Sequence, residues 1–144
     1  MFKKSLFLGI SSGILAGVAG IILEKIYASA FYTDFSETAI ILGSLKVKVD
    51  PTTILLVTIF TGVLASVFHT LFIKWFKAKG DAIFSLLFAF VSFAGLIIPI
   101  SASFDLDVDE TIMLLFPGFG ITLIFFPALI WFALKPLFFG TKTN

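Results

Sequence analysis

The chain has no cysteine, no arginine and one histidine in 144 residues, and only 13% of its residues are charged. Without cysteine there is no disulfide, no thiol chemistry and no thiolate metal site, and the redox compartment leaves no mark. A formal charge of +1 with no basic stripe argues against a nucleic-acid partner, because nothing would neutralise a run of phosphates. Acidic residues are equally scarce where chemistry would want them. No carboxylate lies at the centre of any long apolar stretch, so general acid–base work inside such a stretch would fall to the histidine alone.

What the chain has in excess is hydrocarbon. Hydrophobic residues make up 59% of it and the mean hydropathy is +1.13, well outside ordinary soluble usage. The excess is collected in four segments, 5–23, 53–73, 82–100 and 111–134. Each has the ~20 residues that a helix rising ~1.5 Å per residue needs to cross a hydrocarbon layer ~30 Å thick. The expected fold is an all-α membrane protein, a four-transmembrane-helix bundle forming one integral membrane domain over 1–144. Outer loops occupy 24–50 and 101–110, and no length remains for a separate soluble catalytic module.

Charge sets the expected orientation, since lysine holds short loops in the cytoplasm. Lys3, Lys4, Lys74, Lys77, Lys79, Lys135 and Lys142 fall on one side of the implied path, opposed there only by Asp81. Lys25, Lys46 and Lys48 share the other side with the remaining eight acidic residues. Both termini are therefore expected inside, in a multi-pass protein of a bacterial cytoplasmic membrane. Lys3 and Lys4 before an apolar run, with Gly17, Val18 and Ala19 as small residues, also suit a signal peptide. The run continues through Leu23, too long for a typical secretory core, and a retained anchor is expected.

Two helix surfaces stand out. In the first span Ser5, Gly9, Gly13 and Gly17 recur every four residues, with Ser12, Ala16 and Gly20 in an adjacent row. Such a bare surface lets another helix approach closely where lipid supplies no hydrophobic drive. It marks either a seam inside the bundle or a homo-oligomer interface. In the second span Thr58, Gly62, Ser66, His69 and Thr70 form a small, hydroxyl-bearing seam ending in the histidine. An ionisable group there is a functional candidate by default, against which stands an uncharged histidine bonded to a neighbouring helix. Asp50 suits an N-cap, Pro51 a first turn and Gly80 a C-terminal stop. Asp81 should cap the third helix, making helices two and three an antiparallel hairpin. Pro117 and Pro127 predict two bends in the fourth.

The loops carry weaker signals. Tyr27, Phe31, Tyr32 and Phe35 are spaced as an aromatic belt at headgroup level. Residues 38–42 read either as a short helix or as extended chain. Leu45, Val47 and Val49 alternate with Lys46, Lys48 and Asp50, and Phe104, Leu106 and Val108 with Asp105, Asp107 and Asp109. Paired as strands, they would make a small extracytoplasmic β-ribbon with Lys46 and Lys48 opposing the three aspartates. The aspartate spacing also resembles the opening of a calcium loop, but Glu110 stands where glycine is needed and Phe116 where the closing glutamate should be. Glu24, at the end of the first span, is expected to meet solvent or a neighbouring lysine.

Known four-span families yield exclusions. Small multidrug-resistance pumps carry a carboxylate inside the first span, where this chain has none before Glu24. Claudin-like proteins share an outer sheet but need a tryptophan and paired cysteines. Membrane glutathione-handling enzymes depend on arginine. With no cofactor motif, the expectation is a non-enzymatic accessory or scaffold subunit partnered by the lipid bilayer and another membrane protein. The alternative is a homo-oligomeric channel or transporter with a pathway along Thr58, Ser66 and His69.

Overall fold

In the computed structural model, residues 1–37, 39–42, 45–104 and 109–140 are described. Most of them are helical. Helix α1 spans Phe2–Phe31, α2 Pro51–Phe76, α3 Gly80–Ala94, α4 Ile97–Ile100 and α5 Glu110–Phe139. Three short strands, β1 (Ala39–Leu42), β2 (Leu45–Lys48) and β3 (Ser103–Phe104), and 3-10 turns over Phe35–Glu37 and Lys77–Lys79 complete the described elements.

Three helical stretches are long and apolar enough to cross a membrane: Phe2–Phe31, Pro51–Ile100 and Glu110–Phe139. The count of four separate spans is thus not met. The expected third span, 82–100, is not one helix. Helix α3 has 15 residues, about 22 Å at ~1.5 Å per residue and short of a ~30 Å layer. A turn at Gly95 and Leu96 then separates it from the four residues of α4.

The middle stretch nevertheless doubles back. Helix α2 ends at Lys77, whose left-handed φ of 50° redirects the chain through a 3-10 turn over Lys77–Lys79. Gly80 is not the stop the sequence suggests. It is right-handed helical, the first residue of α3, and a Cβ there would lie 2.3 Å from the Phe72 carbonyl oxygen. Glycine is needed for that approach rather than for its φ.

The antiparallel order follows from the contacts. Along the α1–α2 seam Gly9 meets Gly62, Gly13 meets Ile59 and Gly17 meets Leu55. Phe7 packs on Phe138 and Tyr27 on Phe119, which sets α5 antiparallel to α1. Phe72 with Phe84, and Phe88 with Trp131, place α3 between α2 and α5. Helix α5 runs unbroken through Pro117, Pro127 and Pro136. Asp50 caps α2, its carboxylate accepting from the Thr53 amide at 3.3 Å and from the Thr53 hydroxyl.

The sheet corrects the expected ribbon. Its order is β2-β1-β3, with Ile40 opposite both Val47 and Phe104. Residues 39–42 are extended, as branched Ile40 and Ile41 favour. They sit between the two segments that were expected to pair, so β2, with Lys46 and Lys48, does not adjoin β3. Asp105 and Asp107 lie outside the described residues, and Asp109 instead caps α5 through the Thr111 amide at 2.9 Å.

Two apolar clusters result. One, under the sheet, gathers Phe35, Ile40, Val49, Ile54, Phe116 and Phe119. The other, toward the lysine-rich end, gathers Leu8, Ala65, Phe84 and Trp131. Phe35 is fully buried and stacked on Phe119 at 4.8 Å, so it belongs to the core and not to an aromatic belt. Phe31 and Tyr32 are the exposed members, Tyr32 at 96%.

Candidate functional site

The seam expected on α2 ends in the most connected polar cluster of the described residues. His69 is 1% exposed, because Phe84, Trp131 and Phe139 present their rings edge-on to it at centroid distances of 5.1, 5.7 and 5.3 Å. Its two nitrogens both find partners. Nδ1 lies 3.0 Å from the Ser5 hydroxyl of α1, and Nε2 lies 2.9 Å from Asp81 Oδ1 of α3. The same carboxylate oxygen pairs with Lys135 Nζ of α5 at 2.7 Å, and that ammonium also donates to the Ser85 hydroxyl at 2.9 Å. One chain of contacts therefore joins α1, α2, α3 and α5.

Asp81 reaches His69 because it stands one residue into α3, directly after the turn that brings α3 back along α2. It does not cap its own helix, which has no side-chain cap. Its side chain is 48% exposed, so the cluster opens to solvent on that side.

Next along the seam, the Ser66 hydroxyl is shared between the Ser5 carbonyl at 2.7 Å and the Gly62 carbonyl at 3.0 Å. Thr58 Oγ1 turns back on its own helix, 3.0 Å from the Ile54 and Leu55 carbonyls. Between them the glycine surfaces close. A Cβ on Gly9 would fall 1.8 Å from Ser66 Oγ and 2.2 Å from the Gly62 carbonyl oxygen, and one on Gly13 2.6 Å from Ile59 Cα. Gly20 faces Leu123 and Ile54. Thr58, Ser66 and His69 are thus brought to one side of α2, and beside Thr58 and Ser66 helix α1 leaves no gap for a side chain.

The hydrogen bonds permit two proton arrangements. Nε2 faces a carboxylate, which assigns its proton there, since a bare lone pair would be repelled. With neutral imidazole, the Ser5 hydroxyl donates to Nδ1. With imidazolium, Nδ1 donates to Ser5, whose hydroxyl then turns to the Ser66 carbonyl 3.1 Å away. One proton on His69 therefore reverses one hydrogen bond between α1 and α2. A serine, a histidine and a carboxylate in series resemble a nucleophile's supporting set, but Ser5 is 1% exposed and lies under the Ser66 carbonyl rather than beside donors for an oxyanion.

Beside this cluster lies a cavity of ≈160 Å³ lined by Met1, Ser5, His69, Thr70, Ile73, Lys74 and Phe139. It brings the start of α1 to the ends of α2 and α5. Elsewhere Glu24 is fully buried, with its carboxylate 3.1 Å from Lys25 Nζ. On the sheet side, the Ser36 hydroxyl and amide hold the Asp34 carboxyl below the usual carboxylate range. The Thr53 hydroxyl does the same for Asp50.

Sequence reasoning singled out His69 but missed its partners. Asp81 was legible as the one acid opposing the inner lysines, and Lys135 as a lysine lying inside a hydrophobic end. Nothing in the spacing tied either to His69. Comparison with protein-family models, with curated proteins and with solved structures finds no match for this chain.

Proposed function

We propose that the chain is a small multi-pass integral membrane protein with a non-enzymatic accessory or scaffold role, acting through the surfaces it offers to other membrane proteins. One observation carries this reading. The groups along the α2 seam that could do chemistry are engaged with each other, as Ser5, Ser66, His69, Asp81 and Lys135 form one connected set of contacts across α1, α2, α3 and α5. Such a set fixes helix order and register, which is what a scaffold requires.

On this reading the Pro51–Ile100 stretch crosses the membrane twice, turning at Lys77 and regaining length through α4. Both termini and the lysine-rich turn face the cytoplasm of a bacterial inner membrane, as the lysine bias favours. The glycine surface of α1 is occupied by α2, so partners approach other faces. Exposed Leu86, Phe90 and Phe93 on α3 form one such face.

The test is crosslinking in native membranes followed by identification of what is captured. A defined heterologous partner, lost on Leu86→Ser with Phe90→Ser and kept on His69→Gln, supports the scaffold. Self-crosslinks through positions 9, 13 and 17 contradict it. Transport has one observation in its favour, the ≈160 Å³ cavity beside His69. It predicts vesicle flux that His69→Gln abolishes.

A further inference from the structure

A larger cavity than the one beside His69 lies at the other end of the molecule. It measures ≈380 Å³ and is bounded by the first half of α2, the second half of α3, α4, α5 and the underside of the sheet. That volume is within the range of ligand sites and holds on the order of ten water-sized groups.

The wall offers water almost nothing. Its hydroxyls are already engaged: Thr53 with the Asp50 carboxylate, Thr58 with the Ile54 and Leu55 carbonyls, Thr61 with the Val57 carbonyl and Ser92 with the Phe88 carbonyl. The rest is Val57, Val91, Ile98, Leu123 and Ile124 with their like. A polar guest would lose its hydrogen bonds there, and water needs two to four polar partners to stay.

The opening follows from the hairpin. Helices α2 and α3 touch closely where Gly80 meets Phe72 and part toward Val57 and Val91. Both valines line the cavity and each is 55% exposed, and the cavity is open to the exterior rather than enclosed. Exposed Phe60 and Phe93 lie on the same two helices. Lys48, at the sheet end, is the one charged residue on its wall, and it also lies in the field of Asp34 and Asp50.

We propose that this cavity is a lateral binding site for one acyl chain of a membrane phospholipid, entering between α2 and α3 with its phosphate held at the sheet end beside Lys48. The proposal rests on the membrane-embedded reading given above. The acyl chain supplies the hydrocarbon the wall requires, and the surrounding bilayer supplies the acyl chain.

The experiment uses the full chain in phosphatidylglycerol nanodiscs containing a phospholipid with a diazirine midway along one acyl chain. Carbene adducts are mapped by mass spectrometry on wild type, Ser92→Leu and Thr61→Phe. Each substitution pushes a larger side chain into the cavity, and Thr61 at its rim serves should Ser92→Leu fail to fold. The expected result is labelling of Leu123 and Ile124 in wild type, lost in whichever variant folds, while labelling of exposed Leu86 and Val91 persists. Labelling at Ile124 unchanged by both substitutions overturns the proposal, as does labelling confined to outward positions. So does adduct formation at Leu123 and Ile124 by a water-soluble carbene probe. Resistance of the protein to carbonate extraction from membranes, scored separately, reports on the membrane reading itself.

Discussion

The two ends of the molecule are held by different physics. At the lysine-rich end the helices converge on His69, polar groups answer each other across four elements, and the α2–α3 turn is tight enough to demand glycine. At the sheet end aromatic stacking and a three-stranded cap hold α1 to α5, while α2 and α3 part around a cavity. Directional bonds fix positions and tolerate little change. Apolar contacts hold elements together while permitting a gap. The polar network lies at one end of the bundle and the larger of the two cavities at the other.

The most severe way to break the contrast is to pry apart the seam both ends share. A Cβ at position 62 would lie 2.1 Å from the Gly9 carbonyl oxygen, so Gly62→Leu should leave no folded monomer or cost more than about 3 kcal/mol. Gly118→Ala is the control. Its nearest neighbour is the Tyr27 hydroxyl at 3.4 Å, and helix propensity should leave it neutral or up to about 1 kcal/mol more stable. Denaturation in mixed micelles reads both.

Next in size is Phe119→Ala, which removes a fully buried ring that stacks on Phe35 and meets Tyr27 edge to face. We expect a loss of about 3 kcal/mol, with amide exchange rising first in β1 and α5 near the sheet. Protection around His69 should persist. Simultaneous loss at both ends would show that the two regions are one cooperative unit.

Asp81→Asn strikes the polar end. Two cationic or proton-bearing partners would then face an amide, but the site is half open to solvent, so the cost should stay near about 1–2 kcal/mol. Adding Lys135→Met should recover part of it, with a coupling on the order of 1 kcal/mol. Additive losses would mean that the Asp81–Lys135 contact contributes nothing.

The smallest effect is at the cap of α2. The Thr53 hydroxyl and amide favour ionised Asp50, so its native carboxyl titrates below the unfolded value of 3.8. The stabilisation is therefore present above that pH and is lost as the pH falls through the lower native value. Amide exchange at Thr53 should rise only in that acid window, and Asp50→Ala should remove the step.

How far the sequence foretold all this differs between the same two ends. The apolar runs at 5–23, 53–73 and 111–134 each fall within one long helix and the Asp50–Pro51 helix start is in place, whereas the run at 82–100 is divided by the turn at Gly95 and Leu96. The Lys77 turn was misplaced by three residues, because Gly80 reads as a stop from φ preference although it serves a close approach. The strand pairing failed for a different reason. Alternation fixes which face is apolar, but it says nothing about which strand lies between two others, and β1 was ambiguous by period. At His69 the histidine was visible and its partners were not, since Ser5, Asp81 and Lys135 gather around it only after four helices have packed. The aromatic box of Phe84, Trp131 and Phe139 is likewise a tertiary product.

The central claim is that the histidine cluster fastens the bundle and carries nothing through it. Proton and cation flux into sealed vesicles, measured for wild type and for His69→Gln at matched incorporation and fold, tests this most directly. The account predicts rates equal to those of empty vesicles for both. Flux in the wild type that disappears with His69→Gln would contradict it and make Ser5, His69 and Asp81 part of a pathway.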